Sequence, residues 1–209
     1  MKRLALSCLA LLAGAPALPA QEGAGRAAVL GVWVTGDRAG TVRRRSGLAL
    51  GVEGAFGVGR ATVAVAYAQG SLDESGGGPT SDLVEGQFTA YVHPFRWVQV
   101  GLGPHIRSFV EAGGTQRWVL WEARVQGTTN VLAPVIAVYA EAWTVLGASV
   151  DAAENFDGGR GLEGGLRIGV GHLPVAVRLR YRIERLDLGD GARRETIEHV
   201  ALAVGLGRR

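Results

Sequence analysis

Cysteine and lysine are almost absent from this 209-residue sequence. Cys8 is the single cysteine and Lys2 is the single lysine, so nearly every basic residue is arginine. If both leave with the amino terminus, the rest of the chain has no disulfide, no thiolate chemistry and no cysteine-based metal site. Stability must then come from backbone pairing and side-chain packing.

Long apolar runs are also absent beyond the amino terminus. A membrane-spanning helix requires about 20 predominantly apolar residues. The segment 130–150 comes nearest, but Glu141 lies near its centre and Pro134 near its start. A carboxylate at the bilayer centre costs about 2.5–3.5 kcal/mol. We therefore do not interpret this segment as a spanning helix.

The amino terminus has the layout of a secretory signal peptide. A basic start is followed by an apolar run that ends in Ala-Leu-Pro-Ala, which predicts a signal peptide over residues 1–20 with cleavage after Ala20. Lipid attachment at Cys8 is the alternative, although only four residues separate Cys8 from Arg3. Residues 21–209 then form one domain with 20 basic and 19 acidic residues. This small net charge gives no reason to expect a nucleic-acid partner.

The remainder is rich in glycine and alternates between apolar and polar residues. The 33 glycines of the full sequence, all but Gly14 in this part, suit curved β structure better than helices. Alternation predicts ten strands near residues 27–35, 46–56, 60–69, 82–92, 97–109, 117–130, 135–146, 161–171, 175–186 and 195–206.

The connections between these strands alternate between long polar segments and tight turns. The long ones cover residues 36–45, 70–81, 111–116, 147–160 and 187–194. This order predicts an all-β, up-and-down antiparallel transmembrane barrel with both termini at the tight-turn end. Ten strands fit best, and eight remain open if the first or last segment is misassigned.

Charge placement predicts which face of each strand points inward. An arginine that faces lipid near mid-bilayer costs about 2–4 kcal/mol, so Arg178, Arg180 and Arg182 must face the interior. On other strands the same face mixes charged residues with Gly and Ala, which is typical of a filled lumen. We predict a lumen network of ion pairs among Glu53, Glu85, Arg107, Glu122, Arg124, Glu141, Glu163, Arg167, Arg178, Arg180 and Arg182.

The opposite faces are apolar and are predicted to contact lipid. They run from Leu30, Val32 and Val34 in the first segment to Val200 and Leu202 in the last. Two aromatic girdles are expected at the edges of this band. Their predicted members are Tyr67, Trp121 and Tyr181 near the long connections, and Phe56, Phe95 and Trp97 near the tight turns.

Over residues 27–206 this pattern resembles the small bacterial outer-membrane β-barrel proteins. The resemblance implies periplasmic transit followed by insertion into the outer membrane. We expect outer-membrane lipids as partners and a monomer, with the oligomeric state left open. One departure is the carboxyl terminus, because the last strand ends in Gly207, Arg208 and Arg209 instead of an aromatic residue.

Chemistry-bearing motifs are weak. The four histidines lie in different segments, and the acidic segment 151–159 lacks the spacing of a calcium-binding loop. We therefore predict no metal, no cofactor and no enzymatic activity. A lipid hydrolase using His199 with Glu198 or Glu195 is the weakest alternative. Arg43, Arg44 and Arg45, in the first long connection, are candidates to contact lipid phosphates at the outer surface, and a solvated charge run is the alternative that the sequence favours.

The sequence thus predicts an outer-membrane barrel with a structural or surface-interaction role, or a narrow pore. The main alternative is a soluble periplasmic barrel, similar to a lipocalin, that holds an apolar ligand and turns its charged faces outward. The ligand, and whether the lumen conducts ions, stay open.

Overall fold

The computed structural model describes residues 22–132, 135–151, 154–170 and 174–207. The predicted signal peptide, Cys8 and His172 lie outside these residues. The described chain contains ten strands: β1 (Glu22–Arg38), β2 (Thr41–Val58), β3 (Ala61–Glu74), β4 (Ser81–Phe95), β5 (Val98–Glu111), β6 (Gly114–Leu132), β7 (Ile136–Val150), β8 (Phe156–Gly169), β9 (Val175–Leu188) and β10 (Arg193–Gly207). Among these residues no helix is long and apolar enough to cross a membrane.

The strands close into one antiparallel barrel. Each strand pairs with its neighbours in the sequence, and β1 closes the wall by pairing with β10. Val32, for example, lies opposite His199 on β10 and Gly47 on β2. Closure leaves no free sheet edge among the ten described strands. The predicted ten-stranded up-and-down barrel is therefore confirmed, and the eight-stranded alternative is wrong.

The strands are longer and the connections shorter than predicted. Strands span 14 to 19 residues. The predicted long connection at 36–45 shrinks to Ala39 and Gly40, whose positive φ angles of 51° and 84° suit a tight hairpin turn. Polar residues on both sides of this turn continue the strands, because backbone pairing does not require an apolar outer face once the wall leaves the lipid.

The outer wall carries a continuous apolar band. Leu48 and Leu50 are 70% and 68% exposed, and every strand contributes exposed Val, Leu, Ile or aromatic side chains. All six predicted girdle aromatics are exposed, and Phe95 stacks on Trp97 at 5.9 Å. The soluble-carrier alternative is wrong for this part of the wall, because it requires the charged faces to point outward.

One strand has the opposite orientation from the predicted one. Leu30, Val32 and Val34 of β1 are buried inside the barrel at 1–2% exposure, whereas Val29 and Trp33 are exposed. β1 is apolar on both faces, so alternation alone did not distinguish its inner face from its outer face. Packing against other side chains inside the barrel determines which face of β1 points inward.

The polarity of the wall inverts toward the end of the barrel that holds the connections 39–40, 75–80, 112–113, 151–155 and 189–192, here called the loop end. On β5 the outward residues change from Ile106 to Ser108, while the inward residues change from Arg107 to Phe109. On β3 the outward Ser71 and Asp73 flank the inward Leu72. The barrel is therefore lipid-facing outside with ions inside over most of its height, whereas at the loop end it is mostly polar outside and encloses an apolar core.

Candidate functional site: the polar lumen

The lumen is divided into four levels. At the loop end lies a cavity of about 750 Å³, the upper cavity, lined by residues that include Arg45, Glu111 and Glu154. Below it is the apolar layer, formed by the fully buried Leu72, Leu83, Phe109, Trp118, Leu120, Leu186, Leu188 and Ile197. Next come the buried charges, and then a cavity of about 480 Å³, the lower cavity, near the opposite end. That end, the turn end, holds the connections 59–60 and 96–97.

A histidine lies at the centre of the buried charges. His105 Nε2 is 2.6 Å from Glu85 Oε1, and His105 Nδ1 is 2.9 Å from Glu122 Oε1. His105 and Glu122 are both 0% exposed. Each ring nitrogen faces a carboxylate oxygen, which is the arrangement expected when both nitrogens donate and the ring carries a positive charge. His105 is thus a structural cation of the network.

Arg107 joins two strands that are not neighbours in the wall. Its Nη2 donates to Glu85 Oε1 at 2.7 Å and to Glu184 Oε2 at 2.6 Å. Glu184, on β9, also lies 3.4 Å from Arg182. The side chains of Arg107, Glu85 and Glu184 are 0%, 9% and 0% exposed. Such charges are tolerated in the interior only when paired and hydrogen-bonded.

Arg124 extends the network around the wall. It pairs with Glu122, and its Nη1 is 3.3 Å from Glu141 Oε1. Tyr91 donates to the same Glu141 oxygen at 2.8 Å. The Trp143 ring lies against the guanidinium groups of both Arg124 and Arg182, each 4.6 Å from the ring centroid. Cation–π contacts therefore supplement the ion pairs.

Nearer the turn end, Arg178 has a similar set of contacts. It donates to the Tyr139 hydroxyl at 2.8 Å and lies 3.1 Å from Glu163. Tyr139 donates in turn to Glu163 at 2.8 Å. Arg180 pairs with Glu53, and Arg26 lies 3.9 Å from the same carboxylate.

Inward glycines make room for the aromatic rings of this network. A Cβ added at Gly161 would lie 2.1 Å from the Trp143 ring, and one added at Gly165 would lie 2.6 Å from the Tyr139 ring. The rings therefore lie flat against the wall, and the arginines occupy the space in front of them. This contact explains why Gly alternates with charged residues on β8.

The structure places the predicted lumen residues as follows. Ten of them lie in ion pairs inside the barrel: Glu53, Glu85, Arg107, Glu122, Arg124, Glu141, Glu163, Arg178, Arg180 and Arg182. Arg167 also lines the lower cavity, but no carboxylate among the described residues lies within ion-pair distance of it. Sequence reasoning missed His105 and Glu184 as members, and Arg26 as a further neighbour of Glu53. Glu184 continues the alternation of Arg178 to Arg182, so its signal was present.

The three arginines predicted to contact lipid phosphates lie in β2 and not in a loop. Arg43 pairs with Glu74 at 2.6 Å and Arg45 pairs with Glu111 at 2.9 Å, and both arginines line the upper cavity. The hydrogen bond from Arg43 lowers the pKa of Glu74 below its ordinary value. Arg43 and Arg44 are both exposed, and Arg44 alone of the three does not line the upper cavity. Phosphate contact stays a prediction.

The residues of the hydrolase alternative do not come together. His199 faces the lumen, where its Nε2 lies 3.8 Å from Glu85. Glu198 lies on the opposite face of β10, where it accepts a hydrogen bond from the Tyr181 hydroxyl. Glu195 pairs with Arg193. No catalytic pair therefore forms among these groups.

One cluster has the ligand types of a metal centre. Ligand atoms of His105, Glu122 and Glu184 lie within 4.8 Å of one another. Their carboxylates already accept hydrogen bonds from Arg124 and Arg107. A divalent cation would lie beside these guanidinium groups, so the geometry suits an ion-pair network better than a metal site.

Comparisons with known proteins agree on the fold. No family model and no curated protein matches the sequence. Among solved structures, the translocator domain of the autotransporter NalP from Neisseria meningitidis is similar, with a TM-score of 0.54 and 12% identity over 98% of this chain and 93% of that chain. The outer membrane protease OmpT from Escherichia coli has a TM-score of 0.55 and 7% identity over 93% of this chain and 99% of that chain. The chain therefore has the fold of the outer-membrane β-barrels, and its apolar outer wall suits the same location.

Proposed function

We propose that this protein is a sealed, non-conducting barrel of the outer membrane, which serves as a scaffold that presents its polar loop end to the exterior. Short turns of such barrels face the periplasm and the opposite loops face outward. The loop end, with its polar wall and charged cavity, is then the surface available for interaction.

The apolar layer is the observation that carries this proposal. Its eight side chains come from six different strands and are 0–1% exposed. On β5, for example, the inward Phe109 lies between the buried Arg107 and Glu111, which lines the upper cavity. Hydrophobic constrictions exclude hydrated ions by dewetting. This layer supports a closed scaffold over the narrow pore.

The charges below the layer support the same conclusion. Arg107, Glu122, Glu184 and His105 are 0–1% exposed, and each is held by partners from other strands. A conducting lumen needs mobile water beside its charges, whereas these groups are hydrogen-bonded to one another. These groups link the strands to one another from inside the barrel.

Lipid is the partner that best fits the outer wall. At the upper edge of the apolar band, Arg44, Arg117, Arg160 and Arg185 point outward and are exposed. Arg160 lies directly opposite Arg185 in the pairing of β8 with β9. Like charges in this arrangement repel, and headgroup phosphates at this depth would relieve the repulsion. We propose no enzymatic role.

Ion conductance in planar bilayers tests the seal. We expect the parent barrel to carry no steady current. The double variant Leu72→Ser with Leu186→Ser should conduct, because it wets the apolar layer from two strands. Leu48→Ser with Leu50→Ser is the matched control, since both leucines face outward. A steady current through the parent barrel, or silence of the Leu72/Leu186 variant after its folding is verified, would contradict the proposed seal.

A further inference from the structure

The lower cavity is lined by more positive than negative side chains. It has a volume of about 480 Å³. Because the buried charges and the apolar layer close its upper side, a solute reaches it from the turn end. Its lining residues include Arg26, Arg96 and Arg167 as well as members of the ion-pair network.

The buried network neutralises its own charge without these three arginines. Its carboxylates are Glu53, Glu85, Glu122, Glu141, Glu163 and Glu184, and its cations are Arg107, Arg124, Arg178, Arg180, Arg182 and the His105 imidazolium. Six negative charges therefore meet six positive charges. Arg26, Arg96 and Arg167 remain as a surplus among the side chains that line the cavity.

Arg167 is placed unfavourably unless an anion is present. It lies directly opposite Arg178 in the pairing of β8 with β9, and both side chains face the lumen. Like charges at directly opposed positions destabilise a sheet. Arg178 is already bound to Tyr139 and Glu163, whereas no described carboxylate lies within ion-pair distance of Arg167. The guanidinium of Arg167 is free to bind a ligand.

Arg26 approaches the same space from the neighbouring part of the wall. It lies on β1, whose partner β10 also pairs with β9. Its only ion-pair contact among the described residues is the 3.9 Å approach to Glu53 Oε2, an oxygen that also lies 3.6 Å from Arg178. One carboxylate is thus shared between two guanidinium groups, and Arg26 keeps donors for a further acceptor.

We propose that the lower cavity is a binding site for an oxyanion of the phosphate class, held by Arg26 and Arg167 and entered from the turn end. Planar guanidinium groups bind tetrahedral oxyanions through paired N–H donors. The ligand is either a soluble phosphate group or the phosphate of a lipid headgroup at the membrane edge. This inference does not depend on the proposed scaffold function, because the lower cavity lies on the turn-end side of the apolar layer, whereas the scaffold presents the loop end.

Calorimetric titration of the refolded full chain in neutral detergent at low ionic strength tests the site, with inorganic phosphate and dihexanoyl-phosphatidylglycerol as separate probes. We expect saturable binding of at least one probe. Arg167→Gln and Arg26→Gln should each weaken it by about tenfold or more, the scale of one lost charged hydrogen-bond partner. Arg194→Gln is the matched control and should bind like the parent, because Arg194 is exposed, pairs with Asp187 and does not line the lower cavity.

The stability of Arg167→Gln distinguishes a ligand-binding role of Arg167 from a role in stabilising the fold. Removal of one member of the Arg167/Arg178 pair should leave the urea midpoint of unfolding unchanged or raised when no anion is present. Saturable binding of inorganic phosphate would identify the ligand as a soluble phosphate group. Tighter binding of the short-chain lipid would identify it as a lipid headgroup. The inference is overturned if neither probe binds saturably, if Arg194→Gln weakens binding as much as Arg167→Gln does, or if Arg167→Gln lowers the urea midpoint.

Discussion

Replacement of Arg107 by methionine should lower the free energy of unfolding by about 3–5 kcal/mol, the usual cost of removing one partner from a buried ion pair. Arg107 is 0% exposed and bridges Glu85 on β4 to Glu184 on β9, across the lumen. Methionine retains much of the volume but provides no hydrogen bond. The two carboxylates then stay buried with one cation fewer.

Equilibrium unfolding in urea, with the barrel in lipid vesicles and circular dichroism as the readout, measures this loss. Arg185→Met, an exposed arginine on the outer face of the same strand as Glu184, is the control and should change the free energy by about 0.5 kcal/mol or less. Addition of Glu184→Gln to Arg107→Met should recover part of the loss, because it removes the orphaned charge. Equal small effects of Arg107→Met and Arg185→Met would show that the lumen charges do not support the fold.

Replacement of Trp118 by alanine should cost a similar amount, about 3–5 kcal/mol, because it removes the largest side chain of a packed interior. Trp118 is 0% exposed and belongs to the apolar core that includes Phe109, Leu120 and Leu186. The core lies where the outer wall is already polar, so lipid does not hold this part of the barrel together. Packing inside the barrel must do so.

Trp121→Ala provides the matched comparison on the same strand. Trp121 is three residues away, faces outward and is 51% exposed. Its truncation should cost clearly less than that of Trp118, and circular dichroism in urea again follows unfolding. If Trp121→Ala were the more damaging change, lipid contact would outweigh internal packing at this level, and the description of the loop end as a water-soluble type of barrel would be wrong.

The membrane-embedded part of the fold was largely predictable from the sequence. A charged side chain in lipid costs so much that Arg178, Arg180 and Arg182 have only one acceptable orientation, and the pairing of β9 with its neighbours follows from that constraint. Alternation then assigns the inner and outer faces of most other strands, as on β8, where Glu163 is buried and Leu166 is exposed. The strand number also follows from counting the alternating segments.

The loop end was not predictable by the same reasoning. Outside lipid, a polar outer face and a polar loop have the same composition, so composition predicts a long connection at 36–45, where β1 continues to Arg38 and β2 begins at Thr41. On β1 both faces are apolar, and the inward position of Leu30 depends on packing against other strands. Alternation also fails at a bulge opposite Trp121, after which both Val145 and Ala148 pack against the buried core.

Partners in the lumen were beyond sequence reasoning for a different reason. Residues distant in sequence meet only after the barrel closes, as Arg107 meets Glu184. The type of each residue predicted an inward charge, whereas its partner depends on the register around the whole wall. Arg26 was missed because it precedes the predicted start of the first strand, and His105 because its carboxylate partners lie on β4 and β6.

The central claim is that the barrel turns apolar side chains to lipid and charged side chains to the lumen over most of its height. Single cysteines on β3, each carrying a fluorophore, test it directly when brominated lipids act as quenchers. We expect strong quenching at Val65, which faces outward, and little at Ala64 and Ala66, which line the lower cavity. At Ser71, above the apolar band, a water-soluble quencher should act in place of the lipid. Lipid quenching at Ala64 and Ala66 with none at Val65 would contradict the account.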